Sequence, residues 1–235
     1  MKKGVYGLFK LLNISYKKIM KNNNTKKYIK LIIIFICLIG FLMLLEDVFE
    51  KEIMTLDIKG YEIISKLIKI EGTKNILKFI TNIGGTITLI TLAGVSLLIS
   101  IIKHKKEIGI AIVANLSISA LLNTALKYII QRDRPIGYRL IDETGYSFPS
   151  GHSMNSMAFY GFMIYLVYKF VKNKYIKYTG ITILSILIVS IGISRIYLGV
   201  HYTSDVIAGF LVSISYLIIY TNIIRNYIVK ENSTK

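Results

Sequence analysis

Six apolar runs, each close to 20 residues long, dominate this sequence, at about 29–48, 84–102, 108–126, 153–171, 176–194 and 206–224. A helix rising 1.5 Å per residue needs roughly that length to cross about 30 Å of hydrocarbon. Lipid offers no partner for a free backbone N–H or C=O, so such runs must satisfy their own hydrogen bonds as helices. With 53% hydrophobic residues the chain is also too apolar for a water-soluble domain of this size. The expectation is an all-α bundle of six transmembrane helices. No internal repeat, low-complexity run or linker divides it.

The connections between the runs differ in charge, and this sets an expected orientation. The arm before the first run carries Lys2, Lys3, Lys10, Lys17, Lys18, Lys21, Lys26, Lys27 and Lys30 with no acid. The connection Lys103-His104-Lys105-Lys106 and the one holding Lys172, Lys174 and Lys177 are also basic. The positive-inside bias places these in the cytoplasm and puts 46–82, 127–152 and 195–205 outside. The chain then divides into a basic cytoplasmic arm (1–28), a six-span plasma-membrane domain (29–224) and a short cytoplasmic tail (225–235), with the apolar run after Lys30 read as an uncleaved anchor. The net charge of +17 is concentrated in the basic connections and lacks the aromatic interleaving of a nucleic-acid surface, so anionic lipid accounts for it better. Cys37 is alone and excludes a disulfide framework.

Ionisable residues that lipid should exclude gather at the ends of the runs in three blocks, 127–135, 149–152 and 194–205. Asn115, Ser119, Asn123 and Lys127 recur every four residues on one helix face, with Arg134 two turns further if the helix continues to a stop at Pro135. The first three suit interhelical hydrogen bonding, whereas a cation among apolar neighbours wants an anion. Pro149-Ser150-Gly151-His152 opens the fourth run, and a helix N-terminus with a glycine lets a phosphate approach free N–H groups. Ser150 alone suits an ordinary N-cap, but His152 has no place in a plain bilayer-entry helix. His201 and Asp205, four apart and following Arg195, share a helix face as a nucleophile and its orienting carboxylate would. Together the blocks describe a phosphate-sized anion site containing a nucleophile.

Lys127-x6-Arg134-Pro135, Pro149-Ser150-Gly151-His152 and Ser194-Arg195-x5-His201-x3-Asp205 resemble the three-block signature of the type 2 phosphatidic acid phosphatase superfamily, with every position filled. The resemblance implies an integral-membrane lipid phosphate phosphatase that needs neither metal nor cofactor. Lys127, Arg134, Ser150, Gly151 and Arg195 would bind the phosphate. His201 would attack phosphorus to form a phosphohistidine, Asp205 would fix its tautomer, and His152 would act as general acid and then general base. The signature positions supply a single acid, Asp205, committed to His201, which is too little for a two-metal site.

A site at the outer boundary would take a headgroup phosphate while the lipid tail stays in the bilayer. Undecaprenyl diphosphate, phosphatidylglycerophosphate and phosphatidic acid all fit, and no protein partner is implied. In 46–82, Ile53, Leu56, Ile63, Ile64, Leu67, Ile68 and Ile70 alternate with charges, a pattern suited to surface helices forming a lateral entrance and equally to a solvated loop. A phosphotransferase of the same fold is the nearest alternative. A transporter would show repeats or interrupted helices near the midplane, which the sequence lacks.

Overall fold

A computed structural model describes residues 23–50, 54–66, 70–137 and 139–230. The basic arm up to residue 22, Ile53, Leu67, Ile68 and the last five residues lie outside the described residues. The described chain forms eight helices and no strand: α1 (Asn23–Phe49), α2 (Thr55–Ser65), α3 (Thr73–Ile83), α4 (Thr86–Ile102), α5 (Lys106–Ile130), α6 (Gly151–Phe170), α7 (Lys174–Tyr197) and α8 (Thr203–Lys230).

Four of these, α1, α5, α7 and α8, are long and apolar enough to cross a membrane. The other two expected spans take different forms. The run at 84–102 yields α4, only 17 residues, joined to α3 with a 46° bend so that the pair counts as one broken span at most. The break falls at Gly84-Gly85, where a Cβ on Gly84 would lie 2.6 Å from both the Ile191 and Ser156 side chains. Helix α6 is 20 residues long, but its first half carries His152, Ser153, Asn155 and Ser156. Those groups lower its hydropathy because α6 is the central helix, packed against α4, α5, α7 and α8, and meets protein more than lipid.

The distribution of side chains is that of an integral membrane protein. Phe35, Ile36, Leu42 and Met43 of α1 and Ile183 and Ile186 of α7 face outward, while Asn115, Arg195 and Asp205 are fully buried. An apolar exterior is favourable only in lipid. A core of Leu89, Ile112, Phe159, Phe162, Ile188, Ile191, Leu217 and Tyr220 fills the bundle between α4, α5, α6, α7 and α8.

Buried polar groups fix helix register. Asn115 donates to Ala158 O at 2.8 Å, Ser119 to Asn155 Oδ1 at 2.8 Å and Asn123 to Pro149 O at 3.1 Å, so the stripe expected on α5 ties that helix to α6. Tyr216 and Tyr220 donate to the carbonyls of Asn115 and Ala111, tying α8 to α5. In hydrocarbon such bonds add roughly 0.6–2 kcal/mol each and specify one rotational setting of a helix.

Candidate active site

The three blocks meet at one end of the bundle, where α5 and α7 end and α6 and α8 begin. Helix α5 stops at Ile130, because Gln131 adopts a left-handed conformation (φ 53°) and returns its N–H to Lys127 O. The helix therefore ends before Pro135, contrary to the sequence expectation. Along an unbroken helix Lys127 and Arg134 would stand about 10 Å apart. The turn at Gln131 instead folds Arg134 back over the site.

Residues 131–137 and 139–150 are held by Ser147, whose N–H reaches Arg132 O and whose hydroxyl reaches Asp133 O, and by the Leu140 N–H on Leu198 O. Arg134 staples it to the turn before α8, donating to Thr144 O, Gly145 O and Val200 O at 2.9–3.0 Å.

His201 is 3% exposed and precedes α8, so it meets Asp205 across the helix-capping turn and not along a helix face. Its Nδ1 lies 3.2 Å from Asp205 Oδ2, which also accepts the Tyr202 N–H at 2.9 Å. Arg134 Nη1 lies 3.1 Å from His201 Nε2. A guanidinium can only donate, so this contact requires a bare Nε2 and places the ring proton on Nδ1, facing Asp205. Burial, together with the charges of Arg195, Arg134 and Lys127, holds His201 well below the usual histidine range. The ring is thus neutral, with a lone pair available at Nε2.

Ser150 is the N-cap of α6 and accepts from the Ser153 N–H and hydroxyl, while its own N–H donates to Asp205 O. The second and third blocks are thereby joined through backbone. A Cβ on Gly151 would lie 3.0 Å from Asn123 Oδ1, a tight contact where α6 starts beside α5 that would push on the Asn123 side chain. Lys127 donates to Tyr146 O. Arg195 is 1% exposed, donates to Thr81 Oγ1 at 3.0 Å and pairs with Glu143, and its buried Nε has no partner. An unpaired buried guanidinium N–H suits a site made for another acceptor.

A cavity of about 450 Å³ is lined by Lys127, Arg134, Gly151, His152 and His201, and extends past Asn123, Thr124 and Ala120 toward Gly84 and Thr86 at the α3–α4 break. The structure thus brings Lys127, Arg134, Gly151, His152 and His201 to one cavity. Ser150, Arg195 and Asp205 stand directly behind its wall. Among the described residues no three His, Cys, Asp or Glu side chains form a metal-binding group.

Three residues at the site fall outside the motif blocks' assignments. Arg132 donates to Asp205 Oδ1 at 2.6 Å and to Asp57 Oδ2 at 2.8 Å. Asp57 belongs to α2 and is 3% exposed, on the inner side of a helix whose other residues largely face outward. Glu143 meets the Arg195 guanidinium; burial opposes its ionisation, but the Arg195 charge and hydrogen bond hold its carboxyl below the usual range. No periodicity links Asp57 to Ser204, 147 residues away, so only the folded chain reveals it.

A family model, the PAP2 superfamily, matches residues 108–228, and the chain belongs to that superfamily. Phosphatidylglycerophosphatase B of Bacillus subtilis (strain 168) is 44% identical over 94 residues, covering 38% of this chain and 45% of the relative. An undecaprenyl-diphosphatase of Sulfolobus acidocaldarius is 33% identical over 123 residues, covering 50% and 55%. The matched stretches thus span about half the length of these curated relatives. The crystal structure of a transmembrane PAP2-type phosphatidylglycerolphosphate phosphatase from Bacillus subtilis superposes with a TM-score of 0.70 at 27% identity, covering 82% of this chain and 96% of that one.

Proposed function

We propose that this protein hydrolyses a phosphomonoester or diphosphate on a membrane lipid through a phosphohistidine at His201, without a metal. The carrying observation is the buried His201 ring, its Nδ1 against Asp205 and its Nε2 against Arg134 at a cavity walled by cations. Nε2 would attack phosphorus as Arg134 shifts its N–H from that nitrogen to a phosphate oxygen. Lys127 would hold another oxygen, with the Arg195 guanidinium adding positive charge from behind the wall, and charge building in the transition state would meet cations already in place. The bond from phosphorus to the lipid oxygen breaks, with His152, which would take up a proton once the anionic phosphate offsets the surrounding cations, giving that oxygen the proton. His152 would then take a proton from the water that cleaves the phosphorus–nitrogen bond.

Helix connectivity supports a sided, six-span arrangement in which α6 and the α3–α4 pair complete the set. Asp205 and Arg225 are 20 residues apart on α8, about 30 Å along its axis. At that far end Lys26, Lys27, Lys30 and Arg225 share a second cavity, and the basic connections after α4 and α6 also point away from the site. The basic end would be cytoplasmic, together with both termini, and the site extracytoplasmic. The groove along α5 toward Thr86 would admit a tail from the bilayer. Undecaprenyl diphosphate and phosphatidylglycerophosphate, named for the relatives, and phosphatidic acid are the substrate candidates.

The test is phosphate release by purified protein from each of these lipids, with and without EDTA. Release unaffected by chelator and lost in His201→Ala is expected, with loss of at least about 10³-fold for removal of a nucleophile. Chelator-sensitive release, or turnover retained by His201→Ala, would overturn the mechanism. Transfer of phosphate to a second lipid in place of water would mark a phosphotransferase.

A further inference from the structure

We propose that α2 is part of the catalytic apparatus, with Asp57 acting through Arg132 to hold Asp205 and thereby the His201 ring, so that Asp57 and Arg132 are positioning residues. This rests on the reading of His201 as nucleophile. Asp57 lies outside the region that defines the family match, so the inference assigns a role to the segment between the first two apolar runs.

Asp57 is buried in a helix whose neighbours Leu56, Ile58 and Ile63 are exposed. Its carboxylate is fully engaged: Oδ1 accepts the Ser204 N–H at 2.8 Å, and Oδ2 accepts the Ser204 hydroxyl at 2.9 Å and Arg132 Nη2 at 2.8 Å. It therefore caps the start of α8 from another helix. Arg132 is clamped between two carboxylates, gives its Nη1 to both Ser204 Oγ and Asp205 Oδ1, and lies 4.1 Å from the Tyr202 ring centroid. The result is one continuous chain, Asp57–Arg132–Asp205–His201, in which two carboxylates flank one guanidinium and lead to the neutral imidazole. Arg132 occupies Oδ1, leaving Oδ2 to the imidazole, which fixes the carboxylate plane. Gly60 permits the arrangement, since a Cβ there would fall 2.1 Å from Thr203 Oγ1 and lift α2 from α8.

A purely structural ion pair would use the same contacts, so the experiment must separate stability from positioning. Steady-state phosphate release from dioctanoyl phosphatidic acid and from short-chain phosphatidylglycerophosphate would be measured for wild type, His201→Ala, Asp57→Asn, Arg132→Gln, Gly60→Ala and the double variant Asp57→Asn/Arg132→Gln. The expected loss in kcat is about 10- to 100-fold for each of the two charge variants, with KM within about twofold, as for partners that orient an active imidazole. The double variant, which removes one charge of each sign, should lose less than the product of the two single losses, because Asp57 and Arg132 reach Asp205 through shared contacts.

The pH profile supplies a second readout. His201 is surrounded by Lys127, Arg134, His152 and Arg195, with Asp205 opposing them. Removing Arg132 leaves the Asp205 charge undivided, which favours imidazolium. The acid limb of kcat should then move to higher pH in Arg132→Gln, while Gly60→Ala should slow turnover with every charge kept. Variants that melt earlier yet retain wild-type kcat and acid limb, or multiplicative losses in the double variant, would overturn the proposal. Absence of wild-type release from these two lipids and from undecaprenyl diphosphate, or release retained by His201→Ala, would instead overturn the reading of His201.

Discussion

At His201 three cations and burial act in the same direction, and one carboxylate acts in the other. The imidazolium is disfavoured, so the unfolded chain binds a proton near the ordinary histidine value before the folded chain does. More protons on the unfolded state means stability that is full above about pH 6.5 and lost as pH falls below it. Melting temperatures of wild type and His201→Gln, measured from pH 7.5 to 5, should converge or cross in favour of the variant on the acid side; parallel curves would refute a neutral His201. The motif residues were legible through their resemblance to a three-block signature, which names residue types in a fixed order. Their partners were not, since Arg132, Asp57 and Glu143 act through contacts between distant segments.

At the level of elements, two features that periodicity cannot foresee assemble the site. One is the left-handed Gln131, which ends α5 early and turns Arg134 inward. The other is the close approach of α8 to the first turn of α6, where a Cβ on Gly209 would lie 3.0 Å from Ser150 O. The neighbouring atoms there are largely backbone, which cannot swing aside. Gly209→Ala should cost about 1–3 kcal/mol of stability and spread the two blocks, lowering kcat by more than tenfold. Wild-type melting and turnover in that variant would show that the helices can separate without consequence. The polar stripe of α5 was legible because a period of four is a helix face. That α6 would be the central helix was not, because its place depends on which partners cover Ser153, Ser156 and Asn155.

For the whole molecule, the proposed topology sets basic connections at one surface and the cavity at the other. In a Cys37→Ser background, cysteines placed at Gly145 and at Lys172 should react oppositely with a membrane-impermeant maleimide. Gly145→Cys should label in intact cells and Lys172→Cys only after permeabilisation; the reverse pattern would invert the orientation, and labelling of both would remove an intervening membrane. The apolar runs, the polar stripe and the three blocks were properties of the sequence alone, because each depends on near neighbours along the chain, through helix length, helix period or residue order. Tertiary structure alone decided the bent α3–α4 pair, the burial of Asp57, the turn that brings Arg134 to His201 and the pairing of Arg195 with Glu143. Each of these depends on groups far apart in sequence, and the high cost of burying an unpaired charge is what selects one arrangement among them.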